Sequence, residues 1–259
     1  YGGTCINIGC IPTKTMIVAA EENLGFAETM AQKDVVTTRL RQKNYDTVAG
    51  AGVDIYNAKA RFVSNKVVEI TAGSDVEQLT AETIVINTGA QSNVLPIPGL
   101  LETKNVVDST GIQNLDKQPA SLGIIGGGNI GLEFASLYSK LGTKVTVFEA
   151  GDKILPREEP VVAQLARDYL EEDGITFKVN ARVTGVKNAG EQVVLSAEDG
   201  DYTFDVVLYA TGRKPNIEGL GLENTDIALT ERRAIQVDDY CETSVAGVYA
   251  VGDVNGGLQ

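Results

Sequence analysis

The stretch Ser121–Phe148, SLGIIGGGNIGLEFASLYSKLGTKVTVF, holds a short apolar run (121–125), a run of glycines and a second, β-branched run (144–148). Between the two runs, five apolar residues recur at helical spacing over Asn129–Leu141: Ile130, Phe134, Leu137, Tyr138 and Leu141. Strand, glycine turn, helix, strand is the order of a βαβ unit. The stretch therefore predicts an α/β fold built on a parallel sheet.

The glycine turn Gly126–Gly131, GGGNIG, has the spacing GxGxxG between a predicted strand and a predicted helix. In this pattern Gly126 permits the tight turn, Gly128 lets a pyrophosphate approach the main chain, and Gly131 lets the helix pack closely on the strand. The positive end of the helix dipole then faces the phosphates. The turn in this context predicts a dinucleotide site.

Glu149 ends the second strand. A carboxylate there can accept hydrogen bonds from ribose hydroxyls and would repel a 2′-phosphate, which favours NADH over NADPH. Lys153 and Arg157 lie close enough in sequence to offer cations to a 2′-phosphate, so NADPH stays open.

A second informative stretch is Gly2–Lys14, GGTCINIGCIPTK, which places Cys5 and Cys10 before a helix whose first turn contains Pro12. A disulfide in so short a loop can open and close without unfolding the chain. Cys10 lies at the predicted helix start, where the dipole and free N–H groups favour a thiolate. Cys5 lies on the preceding loop and would be freer to attack a substrate.

Other interpretations of the cysteines are weaker. Two unrelated buried cysteines are common in general, but they do not account for the flanking GGT and PTK. Two thiols do not complete a tetrahedral zinc site, and the sequence has no histidine, so no metal site is predicted. The third cysteine, Cys241, is predicted to be structural.

The segment GGTCINIGCIPTK resembles the active-site signature of the class I pyridine nucleotide-disulfide oxidoreductases. Three later segments resemble landmarks of that family in the same order: GGGNIGLEFA (126–135), YATGRKPN (209–216) and GVYAVGDV (247–254). The resemblance implies an α/β fold with a Rossmann-like nicotinamide-binding domain inserted in an incomplete FAD-binding domain. It assigns residues 1–115 to the FAD-binding domain, 116–213 to the NAD(P)-binding domain, and 214–259 to a return to the FAD-binding domain.

By resemblance, Cys5 is the thiol that meets the substrate and Cys10 the thiol that faces the flavin. Lys14 is the lysine beside the flavin, and Glu133 the glutamate that pairs with it. From the residues alone, Lys14 would be a solvated helix lysine and Glu133 a surface acid. The further cofactor contacts that the resemblance implies are Gly3, Thr4, Ala60, Thr88, Gly89 and Asp253 for FAD, and Val183 and Gly212 for the nicotinamide dinucleotide.

The resemblance also implies a reaction in which electrons pass from NAD(P)H through FAD to the Cys5–Cys10 disulfide. A disulfide, a reactive oxidant such as hypothiocyanous acid, or a metal ion would be the final acceptor. The run CINIGCIPTKT favours the branch that contains mercuric reductase and the reductases of reactive chlorine species. Asn129 stands where the family often has an aromatic residue that gates the nicotinamide pocket, so the sequence departs from the family pattern at this position.

Measured against the family pattern, the sequence reads as an internal fragment. The first FAD-binding glycine motif, with its βαβ unit, is expected upstream. A C-terminal dimerisation domain that carries a His-Glu pair is expected downstream, which would explain the lack of histidine. We therefore expect the parent to be a homodimeric enzyme and the isolated fragment to be inactive. A non-catalytic dinucleotide-binding fragment without FAD and a flavin-free dithiol sensor remain alternatives.

The composition indicates which classes of binding partner are disfavoured. The 259 residues carry a formal net charge of −13, which disfavours nucleic acid and anionic membranes. No apolar run is long enough for a membrane span, and no signal peptide is visible. The small number of cysteines suggests that the protein is located in a reducing cytoplasm.

Outside the two motifs, the pattern predicts helices over 13–31 and 160–173. It predicts strands at 53–55, 61–70, 82–87, 175–179, 193–197, 203–208 and 247–251. The endings INTGA (86–90) and YATGR (209–213) both close a strand with Thr-Gly, which suggests two nucleotide-binding domains of related design.

Overall fold

The computed structural model describes residues 1–257. Within them the helices are α1 (Gly3–Asn7), α2 (Cys10–Glu21), α3 (Phe26–Gly50), α4 (Asn129–Lys140) and α5 (Pro160–Glu172). The first strands along the chain are β1 (Lys59–Ser64), β2 (Val67–Ala72), β3 (Asp75–Thr80), β4 (Ile84–Ile86), β5 (Ala90–Ser92) and β6 (Val106–Val107). The remaining strands are β7 (Ser121–Ile125), β8 (Lys144–Phe148), β9 (Thr176–Lys178), β10 (Val183–Ala189), β11 (Gln192–Ala197), β12 (Gly200–Phe204), β13 (Val206–Tyr209), β14 (Arg213–Pro215) and β15 (Val248–Ala250).

The chain forms two compact units. The first comprises residues 1–45 and 92–212, and the second comprises residues 46–91 and 213–259. Each unit is a set of residues that pack mainly against one another. The domain boundaries predicted above are defined instead by the cofactor that each part would bind. The predicted boundaries stay a prediction.

The first unit is built on a parallel five-stranded sheet in the order β6-β13-β7-β8-β9. Its central strand β7 is apolar and buried, as expected for a parallel sheet covered on both faces. Helix α4 buries Phe134, Leu137 and Tyr138 in the core beside this sheet. An antiparallel meander, β10-β11-β12, completes the unit.

The second unit contains the antiparallel sheet β1-β2-β3 and the parallel pair β4 and β15. Its core includes Phe62, Ile86, Ile235 and Val248, which are buried together. The sheet β1-β2-β3 is exposed on most of its surface. This agrees with the rule that an antiparallel sheet can face water on one side.

The βαβ prediction is confirmed closely, because β7, α4 and β8 begin and end within a residue of the predicted bounds. Helix α5 is confirmed as well, and Gly174 follows it with a φ of 85°. Such a left-handed residue after a helix is a common C-cap.

Four predictions of local structure are wrong. The strand predicted over 203–208 is the end of β12 and the start of β13, because the chain passes from one sheet to another at Asp205. The helix predicted over 13–31 is two helices, α2 and α3, because the chain turns at Asn23 with a φ of 60°. Residues 53–55 form no strand, since their valine and isoleucine find no partner strand. The strand predicted over 61–70 is a hairpin of β1 and β2, which turns at Asn65 and Lys66.

Candidate active site

The two cysteines lie in two consecutive helices of the first unit, so the prediction that Cys5 lies on a loop is wrong. Cys5 is in the short helix α1, and Cys10 is the first residue of α2. Both are free and exposed. Helix α2 starts there because Thr13 closes its first turn, with its N–H and its hydroxyl both donating to the Gly9 carbonyl. The predicted place of Cys10 at a helix start is confirmed.

The pKa of the Cys10 thiol is raised above its usual value, mainly by a hydrogen bond with Cys5 and by partial burial. The Cys10 main-chain N–H and the Lys14 ammonium act in the opposite direction and lower this pKa. The helix start therefore does favour the thiolate, as predicted, but the neighbouring Cys5 thiol outweighs it.

Lys14 and Glu133 form an ion pair between α2 and α4. Their side chains are 57% and 38% exposed. Lys14 lies one helical turn after Cys10, so the pair stands beside the two thiols. The structure thus brings Glu133 to Cys5, Cys10 and Lys14, which are close together in the sequence but far from Glu133.

Sequence reasoning missed the side chains that hold this loop. Arg41, on α3, donates to the side-chain and main-chain oxygens of Asn7, and the Asn7 amide donates to the Gly3 carbonyl at 2.7 Å. Gln113 reaches the main chain of Ile8. Arg41 and Gln113 lie more than 30 positions from the loop and belong to no motif, so the sequence carries no local signal for them.

The dinucleotide turn lies at the carboxyl edge of the parallel sheet, after β7. A Cβ on Gly126 would stand 2.5 Å from the Ala210 carbonyl oxygen, and one on Gly131 would stand 2.2 Å from the Gly126 oxygen. A Cβ on Gly128 would meet nothing within 4 Å. The first and third glycines therefore serve the packing of the protein itself, while the second leaves open space at the start of α4.

Glu149 follows β8 and is held by two main-chain donors. The Gly127 N–H donates to its Oε2 at 2.9 Å, and the Gly151 N–H donates to its Oε1 at 2.8 Å. The carboxylate is thus fixed beside the dinucleotide turn, as the spacing predicted. Lys153 donates to the Glu158 carbonyl at 2.7 Å, so its ammonium is drawn towards that oxygen.

The two Thr-Gly turns have matching hydrogen bonds. In the second unit, the Thr88 hydroxyl donates to the Asn216 carbonyl, and the Asn216 N–H donates to the Gly89 carbonyl. In the first unit, the Thr211 hydroxyl donates to the carbonyl of Asn93. The Asn93 N–H donates to the carbonyl of Gly212. This equivalence supports the related design suggested by INTGA and YATGR.

The remaining predicted contacts are spread over both units. Gly3 and Thr4 begin α1 beside the cysteines, and Val183 is buried at the start of β10. In the second unit, Ala60 is exposed on β1, and Asp253 lies in a 3₁₀ helix after β15. Their assigned cofactor contacts stay predictions. Cys241 is half-buried with a φ of 65°, and its main chain bonds Asp238 and Ala250, consistent with a structural role.

Residues 1–257 contain no cluster of three or more histidine, cysteine, aspartate or glutamate side chains arranged to hold a metal ion. Across the same residues, none of the helices combines the length and the apolar character that crossing a membrane requires.

The sequence profile described as pyridine nucleotide-disulphide oxidoreductase matches residues 1–259. The chain belongs to this family. Membership implies FAD and a nicotinamide dinucleotide as cofactors. The residues present fit the dinucleotide, because Gly128 leaves the start of α4 open while Glu149 is fixed at the neighbouring strand end. The assignment of Cys10, Lys14 and Glu133 to the flavin stays a prediction.

Two relatives and one solved structure illustrate the membership. RclA of Escherichia coli (strain K12), described as a probable pyridine nucleotide-disulfide oxidoreductase, is 41% identical over 260 residues, which are 100% of this chain and 59% of RclA. Dihydrolipoyl dehydrogenase of Geobacillus stearothermophilus is 33% identical over 274 residues, which are 98% of this chain and 58% of that protein.

The solved structure is the HOCl-induced flavoprotein disulfide reductase RclA from Escherichia coli. It superposes with a TM-score of 0.95 at 41% identity, covering 100% of this chain and 59% of that one. The α/β fold of the flavoprotein disulfide reductases is thereby confirmed. The chain spans about three fifths of the length of the curated relatives it matches.

Proposed function

We propose that the chain is the redox-active and nicotinamide-binding part of an FAD-dependent disulfide oxidoreductase. The observation that carries this proposal is helix α4. Its first turn borders the dinucleotide turn, and Glu133, one turn further on, pairs with Lys14 beside the two thiols. One helix thus connects the place where a dinucleotide would bind to the place where a disulfide would be reduced.

When bound, FAD would accept a hydride from the dinucleotide and supply an electron pair that reduces the Cys5–Cys10 disulfide to two thiols. Lys14 stabilises negative charge on Cys10, whose thiolate it already favours. Cys5, exposed on α1, is the thiol that an incoming substrate reaches first.

With a disulfide substrate, the Cys5 thiolate attacks one sulfur and releases the other half as a thiolate, leaving a mixed disulfide on Cys5. The Cys10 thiolate then attacks Cys5, closes the Cys5–Cys10 disulfide and releases the second thiolate. The substrate gains two electrons and the protein loses two. The ring that must close is short, because only four residues separate the cysteines.

For the whole protein we propose a cytoplasmic homodimer that reduces a reactive oxidant. The relative with 41% identity has a solved structure described as HOCl-induced, and this favours the oxidant branch over lipoamide chemistry. The sparse cysteines support the compartment. The domain boundaries at 115 and 213 form part of this proposal.

The absorbance spectrum of the purified chain with added FAD, before and after anaerobic NADH, tests the assignment. A long-wavelength band from a thiolate that lies against the flavin would support the assignment, and it would show that the isolated chain retains more function than the sequence predicts. Cys10→Ser should remove the band, whereas Cys5→Ser should keep it. A chain that binds NADH but gives no flavin change, with or without FAD, would instead be a non-catalytic dinucleotide-binding fragment.

The preference for NADH rests on Glu149. Because its carboxylate is fixed by Gly127 and Gly151, it can accept from ribose hydroxyls without rearranging. We expect Glu149→Gln to weaken NADH binding about tenfold, the scale of one hydrogen bond to a charged group. NADPH binding should weaken less or improve, because the repulsion of the 2′-phosphate is removed. Isothermal titration with both dinucleotides measures this, and equal losses for the two would contradict the preference.

A further inference from the structure

The 3₁₀ helix Ile112–Asn114 carries a glutamine whose side chain points into the first unit. Gln113 is 3% exposed. Its Nε2 donates to two main-chain carbonyls, that of Ile8 at 2.9 Å and that of Ser109 at 2.7 Å. An amide nitrogen has two hydrogens, so these two acceptors use both and fix the orientation of the group.

The turn that carries Gln113 is itself held from two helices. Lys33, buried on α3, donates to the Gln113 carbonyl at 2.7 Å and pairs with Asp34. Tyr138, buried on α4, donates to the Ile112 carbonyl at 2.8 Å. Gln113 is therefore presented from a fixed main chain rather than from a loose loop.

The acceptor Ile8 lies between the two cysteines. It follows α1 and precedes α2, and its N–H donates to the Thr4 carbonyl at 2.9 Å. Its carbonyl falls outside the ladders of both helices, and Gln113 supplies it with a donor. Hydrogen bonds at both the N–H and the carbonyl of Ile8 therefore fix the conformation of the loop that a Cys5–Cys10 disulfide would close into a ring.

We propose that Gln113 is a positioning residue for the redox pair, holding the Ile8 carbonyl so that the dithiol keeps the loop conformation that the disulfide requires. The inference rests on the proposed function, since it assigns the loop a redox cycle. Gln113 touches neither cysteine in this role and acts only through the main chain at Ile8.

The consequence is a stabilised disulfide. A free dithiol loop can sample many conformations, and closing it costs conformational entropy. The hydrogen bond from Gln113 removes part of that freedom before the sulfurs bond. Without it, the dithiol gains conformations that the covalently closed disulfide does not, so the equilibrium shifts towards the dithiol.

The experiment is a redox titration of the purified chain without flavin. The chain is equilibrated anaerobically in glutathione buffers of different ratio, quenched with acid and alkylated. The oxidised fraction of the Cys5–Cys10 peptide is then read by mass spectrometry, and Cys241 reports whether alkylation is complete. The variants are Gln113→Glu, which replaces the donor by an oxygen, and Gln113→Met, which keeps the length without a donor.

The matched control is Gln118→Glu. Gln118 is exposed, and its Nε2 donates to the Leu141 carbonyl at 2.6 Å, so the same substitution breaks the same kind of bond away from the loop. We expect both Gln113 variants to shift the equilibrium about three- to tenfold towards the dithiol, the range that one hydrogen bond represents. The control should stay within about twofold.

The inference is overturned if the Gln113→Met chain folds and its dithiol–disulfide equilibrium is unshifted. If Gln113→Glu does not fold, the result for Gln113→Met alone decides the case. An unshifted equilibrium would leave the proposed function intact, provided that the unsubstituted chain forms its disulfide. If the unsubstituted chain forms no Cys5–Cys10 disulfide at any glutathione ratio, both the inference about Gln113 and the proposed function are overturned.

Discussion

The dinucleotide turn 126–131 and the redox segment 2–14 are both glycine-containing loops that lead into a helix, but the protein holds them differently. The dinucleotide turn is fixed by main chain against main chain, since Gly126 and Gly131 leave no room for a Cβ. The redox segment is fixed by side chains from distant parts of the chain, above all Arg41 and Gln113. Its cysteines stay exposed.

The difference matches the two tasks. A phosphate site works best as a rigid arrangement of N–H groups, so it can be built into the buried sheet and helix. A disulfide loop must admit substrate and alternate between two covalent states. Side-chain hydrogen bonds can hold such a loop without burying it, and they can be altered one at a time.

The largest loss of stability is expected from Gly131→Ala, which disrupts the close packing of main chain against main chain. The new Cβ would stand 2.2 Å from the Gly126 oxygen, so α4 or the turn must shift, at a cost of about 3 kcal/mol. Gly128→Ala is the matched control, since its Cβ would meet nothing within 4 Å. It should leave the stability nearly unchanged and still weaken NADH binding. Thermal unfolding and NADH titration of both variants measure this.

If Gly131→Ala unfolds at the same temperature as the unsubstituted chain, the turn is not held by close packing, and the contrast between the two regions fails. If Gly128→Ala binds NADH as tightly as before, the open space beside Gly128 is not where the pyrophosphate lies.

A smaller effect is expected at the start of β7, the strand that leads into the dinucleotide turn. Hydrogen bonds from Gln192 and from the N–H groups of Ala120 and Ser121 lower the pKa of Asp205. A lowered pKa gives stability that is present above the ordinary value of about 4 and is lost as the pH falls through the lowered value. Asp205→Asn should therefore cost about 1 kcal/mol at pH 7.

That cost should disappear in strong acid, where Asp205 is protonated as well. Urea unfolding at pH 7 and pH 3 checks the sign. Asp201→Asn is the control, because Asp201 is exposed and pairs only loosely with Lys187 at 3.7 Å. A cost for Asp205→Asn that grows towards acid would contradict the assigned direction.

The smallest effect is expected from Glu133→Gln, which breaks the ion pair between α2 and α4. Both partners are partly exposed, so the unfolding free energy should fall by less than about 1 kcal/mol. Glu171→Gln, which breaks the exposed pair with Arg167, should cost a similar amount. A loss of several kcal/mol for Glu133→Gln alone would mean that the redox segment is held as firmly as the dinucleotide turn.

Local sequence predicted the elements that depend on near neighbours. The βαβ unit was predictable to within a residue, because the apolar periodicity and the three glycines are local properties that the buried sheet reinforces. The break between α2 and α3 was not predictable in this way. Asn23 adopts a left-handed conformation that asparagine tolerates but does not require.

The sequence by itself determined the family, the position of Glu149 at a strand end and the place of Cys10 at a helix start, since each depends on a contiguous motif. The family resemblance also implied the pair of Lys14 with Glu133, which the structure shows. Only the tertiary structure decided that Cys5 raises the pKa of Cys10 and that Gln113 holds Ile8. Each of these contacts depends on which helix packs beside which, and on whether water competes for the bond. The residues that are adjacent in the sequence determine neither the packing of the helices nor the access of water to these bonds.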